Sequence, residues 1–296
     1  MPDISLIAGP ASADLAEKVA QRLGSKLVSA ELRVFADGES KIKMPKAGKN
    51  CVIVQSTYPP PDSHIMQTLM MARKCAVDGA RDICAVIPYL AYARQDRVFL
   101  DGEVVSIALV AKLLEAAGVK HVVTVDIHSQ LAMSHFGSIE NVSSIPLLAD
   151  HASRMSLRRP LAVSPDAGGA DRANEFAKLL KIDAIALKKS RDRTTGEVAI
   201  DEELDIDVSG RDAILVDDMI SSGGSIVKAA QVLRKNHCGR VYAMCAHALL
   251  IGDAAQKIRS AGVEDIIATN SVPGEYSKVD LSPAIAEALE SRYSSA

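Results

Sequence analysis

Residues 116–126 read AAGVKHVVTVD: two alanines closing a helical pattern, a glycine, then a run of β-branched residues. Glycine supplies the left-handed residue that ends a helix, and the chain returns through a short loop into a strand. The arrangement recurs at 78–89 (DGARDICAVIPY), 236–247 (NHCGRVYAMCAH) and 260–270 (SAGVEDIIATN). Strands alternating with helices of this length predict right-handed crossovers and parallel sheets covered on both faces. The fold class that follows is α/β.

Outward from these repeats, the first half offers strands near ISLIAG, CVIVQS, ICAVIPY and HVVTVD. Helical patterns separate them at ADLAEKVAQRL, HIMQTLMMARKCAV and VSIALVAKLLEAA. The second half offers PLAVSPD, DAIALKK, AILVDD, VYAMCAH and DIIATN. The least structured junction is HFGSIENVSSIP, 135–146. Two similar domains are expected, 1–147 and 148–296, with a last helix PAIAEALESRY that can pack back on the first. A length of 296 residues agrees with about two domains.

Composition narrows the function. The chain is 48% hydrophobic and 24% charged, with a formal net charge of -3, so no basic field points to nucleic acid. Aromatics make up 3% and tryptophan is absent, which argues against base-stacking platforms. The start MPDISLIAGPASADLAEKVA lacks a basic n-region and a long apolar core, and no run of 18 apolar residues occurs; neither a signal peptide nor a membrane span is expected. Cys51, Cys75, Cys84, Cys238 and Cys245 lie in apolar patterns without a C-x-x-C pair. That usage reads as reduced thiols of a cytoplasmic protein, not as a zinc site.

In parallel sheets the chemistry sits at the carboxyl ends of strands. At 215–225 the sequence reads LVDDMISSGGS. The amides of residues 221–225 can cradle a phosphate at a helix N-terminus, and the serine hydroxyls add donors. Asp217 and Asp218 accept hydrogen bonds only, which suits sugar hydroxyls or a hydrated cation. A capped helix with solvated aspartates is the plainer alternative, and the doublet at a strand end weighs against it. SPDAGGADR, 164–172, repeats the design: Asp166 suits magnesium, and Gly168 and Gly169 let backbone approach an anion. In VDIHS, His128 follows a strand end, where a lone histidine is more often structural. AYARQDR, 91–97, and LKKSRDR, 187–193, put guanidinium and ammonium groups on loops that bind phosphates or are simply solvated. RVFADGES, 33–40, sets Phe35 among polar residues. No G-x-x-x-x-G-K-[ST], strand-following G-x-G-x-x-G, G-x-S-x-G or H-E-x-x-H occurs.

LVDDMISSGGS resembles the phosphoribosyl diphosphate signature of type I phosphoribosyltransferase folds. With SPDAGGADR, YARQDR, RVFADGES, VDIHS and the K-x-R of LKKSRDR, the chain resembles the ribose-phosphate diphosphokinase family, over nearly its whole length. The resemblance implies two tandem type I phosphoribosyltransferase-like domains, each a mainly parallel sheet flanked by helices. It implies transfer of the β,γ-diphosphoryl group of MgATP to ribose 5-phosphate. Residue by residue, it places Ser221, Ser222, Gly223, Gly224 and Ser225 at the 5-phosphate and Asp217 and Asp218 at the ribose hydroxyls. Asp166, Ala167, Gly168, Gly169 and Ala170 would form the diphosphate loop, and His128 and Asp166 would meet magnesium. Phe35, Asp37 and Glu39 would meet adenine from a neighbouring subunit, which implies at least a dimer. Arg94, Gln95 and Asp96 would lie along ATP, and Lys189 and Arg191 on a catalytic loop. Asp37 stands where many members have asparagine, Ser225 where threonine is commoner, and SQLAMSHF (129–136) departs from a stretch tied to regulation. A phosphoribosyltransferase and a non-catalytic homologue are the competing expectations; the N-terminal motifs argue against the first, and the presence of Lys189 and Arg191 against the second.

Overall fold

The computed structural model describes residues 4–191, 198–200, 204 and 206–294, with the backbone alone for 189–191 and 198–200. The chain forms two compact units, one taking residues up to Ser143 and again from Asp280, the other Ser144–Val279.

The first unit runs β1 (Ile4–Ala8), α1 (Ala13–Leu23), β2 (Lys26–Ser29), β3 (Glu31–Val34), β4 (Ser40–Lys43) and β5 (Asn50–Val54). It continues with α2 (Pro61–Val77), β6 (Asp82–Ile87), α3 (Ser106–Ala117), β7 (His121–Val125), α4 (Gln130–Met133) and β8 (Ile139–Val142). Six strands form one parallel sheet in the order β2-β1-β5-β6-β7-β8, and β3–β4 is a separate antiparallel hairpin. Along β5, Cys51 and Ile53 face a core with Met71 of α2 and Ile107 and Leu114 of α3. The alternate residues Val52 and Val54 are buried as well. Burial on both faces is what a continuous apolar run requires.

The second unit runs α5 (Ile145–Ser153), β9 (Leu161–Ser164), a 3₁₀ turn (Ala167–Gly169), α6 (Ala170–Leu180), β10 (Asp183–Ala186), β11 (Lys189–Arg191) and β12 (Val198–Ile200). Then come β13 (Ala213–Ile220), α7 (Gly224–Lys235), β14 (Val241–Ala248), α8 (Ala254–Ser260), β15 (Val263–Thr269) and β16 (Ser277–Val279). Its parallel sheet, β10-β9-β13-β14-β15-β16, repeats the first unit's order, and β11–β12 is again a hairpin between the second and third sheet strands. On β13, Leu215 packs with Ile226 and Leu233 of α7, whereas Ile214 and Val216 pack with Leu148 of α5 and Phe176 of α6. The chain closes with α9 (Ser282–Ser294) in the first unit. There Arg22 Nε donates to Ser282 Oγ at 2.8 Å, and Tyr293 donates its hydroxyl to Asp82 Oδ2 at 2.8 Å.

The α/β reading and the two parallel sheets stand, with three corrections of detail. The junction 135–146 carries β8, whose four half-buried residues alternate too weakly to announce a strand. The units divide between Ser143 and Ser144, because a cut at 147 would fall inside α5. Of the four glycines after helices, Gly79, Gly118 and Gly262 have positive φ, but Gly239 does not. His237 takes the left-handed residue there (φ 57°), and Gly239 is needed for space: a Cβ would lie 2.9 Å from Arg211 O and from Asp212 Oδ1. No helix among the described residues is long and apolar enough to cross a membrane.

Candidate active site

β13 does not stop before its aspartates. Its ladder with β14 runs on through Asp217↔Cys245, Met219↔His247 and Ile220↔Ala248, so the two carboxylates belong to the strand's last turns of pleat. Asp218 is buried and Asp217 half-buried. Asp217 Oδ1 accepts from the Asp218 amide at 2.9 Å. Burial, and then the Asp218 carboxyl beside it, push the Asp217 carboxyl well above the usual carboxylate range, against the pull of Arg172. Two neighbouring acids in one dry place cannot both ionise freely.

Ser221, Ser222 and Gly223 turn the chain into α7, whose first residues are Gly224 and Ser225. Gly223 has φ 77°, and a Cβ there would lie 2.9 Å from Ile258 Cδ1, so only glycine fits. The first amides of a helix have no intrahelical carbonyl partner, and the dipole favours an anion beside them. Ser222, Gly224 and Ser225 are exposed. Ser222 and Ser225 thus stand open to an anion at the start of α7.

At the neighbouring strand, β9 leads to the turn Ala167–Gly169 and α6. Asp166 Oδ1 accepts from Gly168 N at 3.1 Å, and Ser164 Oγ donates to Asp166 O at 2.6 Å. From the first turn of α6, Arg172 Nη1 reaches 3.5 Å from Asp217 Oδ1 and 3.7 Å from Asp218 Oδ1. The structure thus joins the Asp166–Ala170 turn, the aspartate pair and the Ser221–Ser225 loop at the carboxyl ends of β9 and β13. Lys189 and Arg191 lie on β11, described by backbone only; Asp192 and Arg193 lie outside the described residues.

In the first unit, Phe35, Asp37 and Glu39 occupy the tip of the β3–β4 hairpin. The Phe35 amide donates to Glu39 O at 2.9 Å, and Glu39 N to Asp37 Oδ1 at 3.1 Å. The Arg33 guanidinium lies 4.8 Å from the centre of the Phe35 ring. The loop after β6 holds Arg94, exposed, and Gln95, whose Nε2 donates to Glu103 Oε2 at 3.1 Å. Asp96 is only 3% exposed. Its carboxylate accepts the Ser129 hydroxyl and pairs with Arg97 Nε at 3.3 Å, and its carbonyl lies 3.0 Å from His135 Nε2. The Ser129 hydroxyl, above all, holds this carboxyl below its ordinary range. Asp96 therefore ties its own loop to the VDIHS segment, where His128 is exposed after β7. Asn141 of β8 fixes that segment from the other side by accepting from Ile127 N at 2.8 Å.

A family model described as the N-terminal domain of ribose phosphate pyrophosphokinase matches residues 4–118. A second, described as a phosphoribosyl synthetase-associated domain, matches 201–292. The ribose-phosphate pyrophosphokinase of Methanothermobacter thermautotrophicus is 38% identical, over 96% of this chain and 99% of its own. That of Sulfurisphaera tokodaii is 34% identical over the same shares. The chain belongs to the ribose-phosphate pyrophosphokinase (diphosphokinase) family. The crystal structure of phosphoribosylpyrophosphate synthetase from Mycobacterium smegmatis superposes with a TM-score of 0.88 at 28% identity, covering 99% of this chain and 100% of that one.

In this ribose-phosphate pyrophosphokinase relative, the contacts bring in residues that pattern reading passed over. Arg172 closes the quoted SPDAGGADR yet has no sequence signal beyond being an arginine one turn into a helix. Glu103 gathers Phe99 N at 2.9 Å, Leu100 N at 3.1 Å and Gln95, so it shapes the loop from inside. Asn141 lies on the strand that the sequence hid. Arg172 and Asn141 act through contacts distant in sequence, whereas Glu103 closes its own loop.

Proposed function

We propose that the second unit binds ribose 5-phosphate and the diphosphoryl group, and that the first supplies the ATP side. The chain transfers the β,γ-diphosphoryl group of MgATP to the anomeric hydroxyl of ribose 5-phosphate, giving 5-phosphoribosyl 1-diphosphate and AMP. One observation carries the assignment: the Asp217–Asp218 pair leads directly into an anion-ready loop and is bridged by Arg172 to the Asp166 turn. In this reading Asp217 and Asp218 accept from the ribose hydroxyls, and Ser221–Ser225 donate to the 5-phosphate. Residues Asp166–Ala170 hold the diphosphate. Arg94, Gln95 and Asp96 lie along ATP, and Asp96 also holds their loop. Phe35, Asp37 and Glu39 meet adenine from a neighbouring copy, so the working enzyme is at least a dimer.

The anomeric oxygen bonds to the β-phosphorus in line as the bond from that phosphorus to the α,β-bridging oxygen breaks, and AMP leaves. Such transfer needs positioning and charge neutralisation more than covalent help. Lys189 and Arg191 are assigned to the charge that develops on the transferring group. Asp166 offers the oxygen donor that magnesium prefers, and a carboxylate beside a phosphate-ready turn fits that ion; His128 is assigned to magnesium as well. When bound, magnesium supplies neutralisation of the phosphate oxygens. All five cysteines are buried free thiols, in keeping with a reducing cytoplasm.

Phosphorus NMR with ribose 5-phosphate, ATP and magnesium tests the reading. AMP together with a new sugar-linked diphosphate, and little ADP, is expected. No turnover, but consumption of added phosphoribosyl diphosphate with a free base, would move the chain to the transferases. Silence in both would leave a non-catalytic homologue.

A further inference from the structure

We propose that Arg172 is a positioning residue of the reaction, coupling the diphosphate turn to the aspartate pair; this rests on the assignment of those two loops above. Arg172 is the third residue of α6, which starts directly after the turn Ala167–Gly169. From this first turn of α6 its Nη1 lies within ion-pair reach of both carboxylates on β13, at 3.5 Å and 3.7 Å. Gly169 leaves room for the Ser164 hydroxyl rather than for the guanidinium. A Cβ there would fall 3.6 Å from Arg172 Nη1 and 2.6 Å from Ser164 Oγ, the hydroxyl that holds Asp166 O. Asp166, Ser164, Gly169, Arg172, Asp217 and Asp218 thus form one connected assembly across the ends of two adjacent strands.

The lengths of these contacts matter. Close charge-assisted hydrogen bonds run about 2.7–2.9 Å. Arg172 stands farther off, at the outer limit of a hydrogen bond to Asp217 and in ion-pair range of Asp218, so it holds the pair chiefly by charge. Two neighbouring carboxylates would repel a phosphate-bearing sugar, and one guanidinium offsets about one of those charges. The planar, always charged fork also sets the pair's distance from the turn, which an ammonium on a flexible stem would do less well. Sugar and diphosphoryl group, the two ends of the bond to be made, are then placed by one constraint. Residues that only orient still change turnover, because a small misplacement costs near-attack geometry.

Steady-state kinetics of the full chain, with AMP release followed and each substrate varied in turn, test this. Arg172→Ala is expected to raise KM for ribose 5-phosphate and to lower kcat, each about tenfold or more, while KM for MgATP stays within about twofold. Arg172→Lys, which keeps the charge without the fork, recovers part of both losses and carries the test if the alanine variant folds poorly. An unchanged kcat and unchanged ribose 5-phosphate KM in Arg172→Ala would overturn the proposal. So would losses that track a fallen melting temperature and strike both substrates alike, since that is the mark of a merely structural arginine. A wild-type chain that makes no phosphoribosyl diphosphate sinks the functional reading instead. Calorimetric binding of ribose 5-phosphate then decides on Arg172 separately: weakened by Arg172→Ala it supports the coupling, unchanged it overturns it.

Discussion

Asp217 is held where its charge is least welcome. Its raised carboxyl pKa means that the folded state takes up that proton more readily than the unfolded chain. The contribution to stability is therefore present at low pH and lost as pH rises through the folded value, above which the buried charge costs stability. Asp217→Asn is expected to raise the melting temperature at pH 8 by roughly 2–4 °C, the shift that about 1 kcal/mol gives in a chain of this size. The same variant should lose ribose 5-phosphate turnover, and calorimetric scans beside activity assays check both. A lower melting temperature at pH 8 would show that the carboxylate is stabilising after all. In the wild type, the ribose 5-phosphate KM should climb as pH falls through this raised value, because protonation removes an acceptor. At Gly223 the constraint is steric. Gly223→Ala must adopt φ 77° and push on Ile258, at about 2–4 kcal/mol, measurable by urea unfolding.

Among the elements, buried carboxylates tie loops that no local pattern connects. Asp212 enters β13 and accepts from Arg158 N at 2.7 Å, Arg240 N at 3.0 Å and Arg240 Nη2 at 2.6 Å. Burial by itself would raise this carboxyl, but those donors hold it below its ordinary value. A depressed value stabilises the fold above the unfolded pKa, and that stability is lost as pH falls through the folded one. Asp212→Ala should cost about 2–3 kcal/mol at neutral pH, reduced from a fully buried pair because Arg240 is partly exposed, and denaturant midpoints would show it. Ser129→Ala should release Asp96 from the His128 segment and weaken MgATP about three- to tenfold with about 1 kcal/mol of stability lost. Kinetics with ATP varied would detect this, and an unchanged KM would mean that the tie serves packing only. Much at this scale was legible beforehand. The inner strands read as unbroken apolar runs, since helices cover both their faces. The edge strands β2, β8 and β16 did not, because three or four partly exposed residues without alternation leave no pattern. The hairpin β3–β4 was missed as well, its short strands being exposed or half-buried throughout.

Across the molecule, one strand order appears twice, and each sheet interrupts it with a hairpin at the same place. The first hairpin carries Phe35 at its tip, and the second carries Lys189 and Arg191. The first unit is finished by the chain's last helix, where Ile285, Leu289 and Tyr293 are buried, with Leu281 buried just before it. Burial of side chains of this size is worth about 1.5–3 kcal/mol each, together comparable to a domain's net stability of roughly 5–15 kcal/mol. A chain ending at Val279 should therefore lose hydrogen-exchange protection over β1, β5 and β6 while β13, β14 and β15 keep theirs; full protection in β5 would refute this. Apolar periodicity is a local signal, and it was enough for the α/β class and the inner strands; the small-residue turns were legible as turns in the same way. The tertiary fold settled that β13 runs on through its aspartates, that Arg172 reaches them from the first turn of α6, and that α9 belongs to the first unit. Strand pairing, side-chain reach and the burial of a helix face are set by partners far along the chain, and a local pattern does not name its partner.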